Sequence, residues 1–110
     1  MTQTERPIPK FLSFDIKPKV VKIPRSGITP VTVYGTIETT SKNNVNITLT
    51  SSKGKVEKSI APYAKTSTHN VAKFEWKYGI DKDKEVGTYN VRAVLVENTK
   101  QIRVGTFRVE

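Results

Sequence analysis

Few of the 110 residues have side chains suited to covalent chemistry, and they are scattered. His69 is the one imidazole, set in the polar run Thr66-Ser67-Thr68-His69-Asn70, and Glu75 is the one acidic residue within ten positions of it. Nucleophilic catalysis requires a nucleophile, a base beside it and a group that orients the base. One loop histidine and no cysteine do not make that set, so the chain reads as non-enzymatic. Asp81, Asp83 and Glu85 alternate in a connecting segment and are the nearest thing to a metal-ligand pattern. Calcium takes six to eight oxygens in an anionic cage, and here Lys82 and Lys84 interleave the acids. The segment therefore reads as a solvated loop, with no metal and no cofactor expected.

Lys73-Phe74-Glu75-Trp76-Lys77-Tyr78 sets aromatic rings among lysines, a composition that can stack bases over a basic groove. Its period of two argues the other way, because Phe74, Trp76 and Tyr78 fall on one side of a strand and the charges on the other. The rings are expected in the core. Asn46-Ile47-Thr48 matches the acceptor triplet for N-glycosylation, which matters only on a secreted chain.

Charge leaves a second class of partner open. Nineteen Lys and Arg against ten Asp and Glu give a net charge of +9, enough to consider nucleic acid or another anionic surface. The cations are spread along the chain. A basic surface, if one forms, is expected from Lys53, Lys55, Lys58, Lys73, Lys77, Arg92 and Arg103, and no run of five or six like charges marks a basic arm.

These side chains are carried by strands. Val and Ile number 22 and Thr 14, against seven Leu and Ala, and β-branched residues favour a pleated surface over a helix. Alternation predicts strands around Leu12–Ile16, Val31–Ile37, Val45–Leu49, Lys55–Ile60 (ended by Pro62), Phe74–Tyr78 and Tyr89–Val96. Both sides of the Tyr89–Val96 strand are apolar, the mark of a strand covered on both faces. In the last segment Ile102 and Val104 share one parity and Phe107 and Val109 the other, so a bulge is expected at Gly105 to bring all four inward. The expected core comprises Val33, Ile37, Ile47, Leu49, Phe74, Trp76, Tyr89, Val91, Ala93, Ile102, Val104 and Phe107. No stretch approaches 18 apolar residues, so no membrane-spanning helix is expected.

The stretch Gly87-Thr88-Tyr89-Asn90-Val91-Arg92-Ala93-Val94 with the closing Gly105-Thr106-Phe107-Arg108-Val109 resembles the final hairpin of immunoglobulin-like sandwich modules of the bacterial, archaeal and phage type. Val31-Thr32-Val33-Tyr34-Gly35-Thr36-Ile37 resembles their second strand, and Phe74-Glu75-Trp76 the strand before the hairpin. The resemblance implies an all-β, seven-strand, two-sheet antiparallel sandwich over residues 12–110, preceded by a tail over 1–11. It also implies a structural role for Tyr89, whose ring packs under a corner while its hydroxyl bonds nearby backbone, with Gly87 allowing the sharp turn before it.

On these grounds the chain is expected to be a structural or binding module displayed on a larger assembly. The absence of a secretory signal and the proline-interrupted start point to a virion accessory or decoration protein, meeting its protein partner through the tail or an edge strand. A spacer or adhesin module of a prokaryotic cell-surface protein is one alternative. A basic, cytoplasmic nucleic-acid-binding protein, detectable by quenching of Trp76, is the other.

Overall fold

The computed structural model describes residues 9–39, 42–65 and 70–110, and every regular element among them is a strand. In chain order they are β1 (Lys10–Lys17), β2 (Val20–Val21), β3 (Thr29–Glu38), β4 (Asn43–Thr50), β5 (Val56–Lys65), β6 (Val71–Ile80), β7 (Gly87–Leu95) and β8 (Ile102–Val109). The fold is all-β, as the composition requires. The strands number eight, not seven, and hydrogen bonding links them in the single order β1-β3-β6-β5-β4-β7-β8-β2. All pairs are antiparallel except β2 with β8, which is parallel. Among the described residues no helix is long and apolar enough to cross a membrane.

The sheet turns back on itself at β5. This strand pairs with β4 from Val56 to Tyr63, then with β6 only at Ala64 and Lys65. Pro62 was expected to end the strand, yet it lies inside it, opposite Asn44. A proline lacks the N–H for a two-sided ladder, and at this position β5 has only β4 beside it. The two arms of the folded sheet then face each other. Tyr78 of β6 packs across the space against Tyr89 of β7 at 6.3 Å and Phe107 of β8 at 6.4 Å between ring centroids, and within the first arm Phe11 of β1 meets Phe74 of β6 at 5.8 Å.

Side-chain alternation decides what enters the space between the arms. Val31, Val33 and Ile37, then Val45, Ile47 and Leu49, then Tyr89, Val91, Ala93 and Leu95 are all buried. Phe74 is buried as expected, whereas Trp76 and Tyr78 share its side of β6 but are half-buried.

Strand β8 departs from the expected arrangement. Its register with β7 runs unbroken from Val94↔Ile102 to Gly87↔Val109, so Gly105 carries no bulge. Phe107 and Val109 point inward, and Ile102 and Val104 point out, Val104 being 71% exposed. The irregularity sits in β1 instead, between Phe11 and Ser13. It leaves Leu12 outside and turns Phe11, assigned above to the tail, into the core. The first described strand thus begins at Lys10; residues 1–8, part of the expected tail, lie outside the described residues.

Candidate functional site

The folded sheet has two outer faces, and their chemistry differs. On β1-β3-β6 the outward side chains form ion pairs: Lys10 with Glu38 at 3.3 Å, Lys77 with Glu75 at 3.4 Å, and Lys19 with Asp15 at 3.5 Å. The Asp15 carboxylate also accepts from the Ile16 N–H and the Tyr34 hydroxyl. The Ile16 bond is the leading cause that holds its carboxyl below the usual value, with Lys19 adding to it. Lys73 and Lys77, two of the expected basic residues, belong to this face, where cations and carboxylates are interspersed.

The outer face of β5-β4-β7-β8 is built differently. Register sets Ile60, Asn46, Val94 and Ile102 in one row across the strands. The next row is Lys58, Thr48, Arg92 and Val104, and the next Val56, Thr50, Asn90 and Thr106. Its outward positions hold three cations, Lys58, Arg92 and Arg108, and no carboxylate. Among the described residues, Arg108 of these three forms an ion pair, with Glu110 at 3.6 Å beyond the strand end. Two shallow depressions of roughly 520 and 490 Å³ lie on either side of the Thr48–Arg92 row and share those two residues.

The apolar side chains here are uncovered: Ile60 is 58% exposed and Val96, just past β7, 42%. Both sides of β7 read as covered in the sequence. The chain covers only the inner one. Ile102 and Val104, expected inward, join this face because the register of β8 with β7 has no bulge to turn them in.

Structure brings Lys58 and Arg92 together on this face and disperses the other expected basic residues. Lys53 is exposed in the 51–54 turn. Arg103 lies on the inner side of β8, its guanidinium 5.4 Å from the centre of the Phe11 ring.

Asp81, Asp83 and Glu85 line a depression of roughly 250 Å³ at one end of the fold, together with Glu57, Tyr78 and Tyr89. Lys55 and Lys84 share it and counter the acids, the Lys84 ammonium standing 5.1 Å from the Tyr78 ring centre. The Asp83 N–H donates to the Asp81 carboxylate at 2.9 Å, closing the loop on itself. One Glu85 oxygen is buried without a hydrogen-bond partner. Among the described residues no group of three or more His, Cys, Asp or Glu is placed to hold a metal ion. Burial, then the adjacent Glu57, pushes the Tyr78 phenol up to about 12.

Tyr89 stacks on Phe107 at 5.0 Å and donates its hydroxyl to the Glu85 carbonyl at 2.8 Å. Gly87 has φ of 125°, and a Cβ there would stand 2.5 Å from that of Ser52. Ser52 in turn donates to the Val86 carbonyl at 2.8 Å and ties the 51–54 turn to this corner. His69 lies outside the described residues.

No protein-family profile matches the chain, and no curated protein matches it. Solved structures do resemble it. The alkylpurine DNA glycosylase AlkC of Pseudomonas fluorescens, bound to DNA containing an abasic site analog, superposes with a TM-score of 0.66 at 11% identity, over 96% of this chain and 31% of that one. A β-glucosidase of Listeria innocua in complex with gluconolactone gives 0.51 at 15% identity, over 88% of this chain and 16% of that one. The likeness is one of fold, and this chain spans less than a third of either protein's length.

Proposed function

We propose that the chain is a non-enzymatic binding module of a larger assembly, built as an immunoglobulin-like sandwich. Several features support the architecture. The arms β1-β3-β6 and β5-β4-β7-β8-β2 pack face to face, and the N-terminal segment serves both, β1 pairing antiparallel with β3 and β2 parallel with β8. The hydroxyl of Tyr89 returns to the backbone four residues upstream, the corner such sandwiches use. The same fold occupies 31% and 16% of two larger solved chains, consistent with a module.

One observation carries the binding role. Ile102 and Val104 on β8 adjoin half-buried Val94 on β7, and Ile60 stands across Asn46 on β5, all on the outer side of strands whose inner side is already filled. Exposed apolar side chains gathered on one face of a sheet, beyond those scattered singly, mark an interaction site. A photo-crosslinking residue at position 104 is expected to trap a partner in the native source, while the same residue at position 77 on the opposite face traps none. Equal yields at both positions, or none at 104, would overturn the reading. The assembly we propose, from sequence features alone, is a virion with this chain as an accessory or decoration protein. It should then co-purify with intact particles at fixed stoichiometry, and its absence from them favours the cell-surface spacer.

A further inference from the structure

We propose that the outer face of β5-β4-β7-β8 holds the phosphate backbone of double-stranded nucleic acid without reading its sequence. The inference rests on the reading of that face as the binding surface and names what it binds. Lys58 and Arg92 share outward positions that hold no carboxylate, and Arg108 stands beyond them beside Glu110, a field that favours an anion, whereas on the opposite face Lys10 and Lys77 are each held by a glutamate. Strand spacing puts the Lys58 and Arg92 backbones about 10 Å apart, and Arg108 about 13 Å further along the strands. That span is longer than one small anion can bridge and covers several phosphates of a backbone.

The middle of the face decides between nucleic acid and protein. Protein interfaces concentrate apolar and aromatic side chains at the centre and polar ones at the rim. Here the order is inverted. Asn46, Thr48, Thr50, Asn90 and Arg92 occupy the centre, with Val94 half-buried at one end of it and Ile60, Ile102 and Val104 on the flanking strands β5 and β8. Short amides and hydroxyls of this kind bond phosphate and sugar oxygens, contacts that position a duplex but carry no sequence information. A second copy of the chain is disfavoured, since two such cationic faces repel. No aromatic ring lies among the outward positions of these strands, so stacking of single-stranded bases has no platform. Trp76 lies in the other arm and points inward, which removes the fluorescence quenching anticipated from the sequence.

The test uses the whole chain with labelled 20-base-pair duplexes, one AT-rich and one GC-rich, and a 20-nucleotide oligothymidylate, followed by anisotropy from 20 to 200 mM KCl. Expected are equal affinities for both duplexes, weaker binding of oligothymidylate, and a log–log salt slope of about −2 to −3, near −0.9 per phosphate contacted. Arg92→Ala and Lys58→Ala should each reduce the slope by about one, whereas Lys73→Ala and Lys77→Ala leave it unchanged. Trp76 emission should stay constant on binding. Any of three results would overturn the proposal: no duplex binding at 20 mM KCl, equal losses from both faces, or tighter binding of oligothymidylate. If duplex binding fails while position 104 still cross-links a protein, the face is a binding surface for another partner. If both fail, the face is not a binding surface.

Discussion

Gly105 of β8 lies directly beneath Ile16 of β1: a Cβ at position 105 would stand 2.8 Å from the Ile16 Cδ1 and 3.1 Å from the Phe14 ring. The glycine does not bend β8. It makes room for β1, which crosses over the inner side of β8 and seals that end of the core with Phe14 and Ile16.

Filling that space should be costly. Gly105→Val forces β1 outward, and overpacking of this kind costs about 1–3 kcal/mol. Val104→Thr, one residue away but on the exposed side, should stay within about 0.5 kcal/mol of wild type. Urea denaturation of both variants checks the contrast, and a near-neutral Gly105→Val would show that β1 does not rest on β8.

Tyr89→Phe keeps the ring on Phe107 and removes only the hydroxyl that donates to the Glu85 carbonyl. The expected loss is about 0.5–1.5 kcal/mol, the net value of one hydrogen bond. Thermal unfolding should show it as a modest fall in Tm, with the hydrogen exchange of the 81–87 connection accelerated more than that of β4.

Much of this could be read from residue order. Strands β3 and β4 have one clearly apolar parity each, and both bury it. Where both parities are apolar the sequence is ambiguous. Ile102 and Val104 competed with Phe107 and Val109, and an inward assignment of all four required a bulge that β8 does not have. The same ambiguity between Phe11 and Leu12 hid the irregularity that β1 does have. The basic residues were visible as types, but the meeting of Lys58 and Arg92 depends on two registers across β4, with residues 34 positions apart in the chain. Local pattern cannot supply that pairing.

Alkaline stability should respond to Tyr78. Burial and the nearby Glu57, Asp81 and Glu85 raise its phenol from the ordinary 10.0 to about 12. The neutral form is therefore favoured in the folded state, so its contribution is complete below pH 10 and is lost as pH rises toward 12. Tyr78→Phe has no proton to lose, and the difference in unfolding free energy between wild type and variant should shift in the variant's favour across that interval. A difference independent of pH from 9 to 12 would contradict the placement of the hydroxyl. Tyr63, also raised by burial and by Glu97, titrates in both proteins and cancels in the comparison.

The start of β1 is held by the β7–β8 connection, ninety residues away in the chain. The Phe11 N–H donates to the Gln101 side-chain oxygen at 3.2 Å, and the Asn98 amide donates to the Pro9 carbonyl at 3.0 Å. Gln101→Ala removes the first of these and leaves the strand ladders intact. Because the bond is partly exposed, global stability should change by no more than about 0.5–1.5 kcal/mol, whereas the local opening that governs Phe11 exchange becomes easier. The Phe11 amide is expected to exchange about two- to tenfold faster in the variant, with the Ile47 amide in β4 unchanged at matched stability. Equal protection of Phe11 in both proteins would mean that β1 is held by β3 and the core alone.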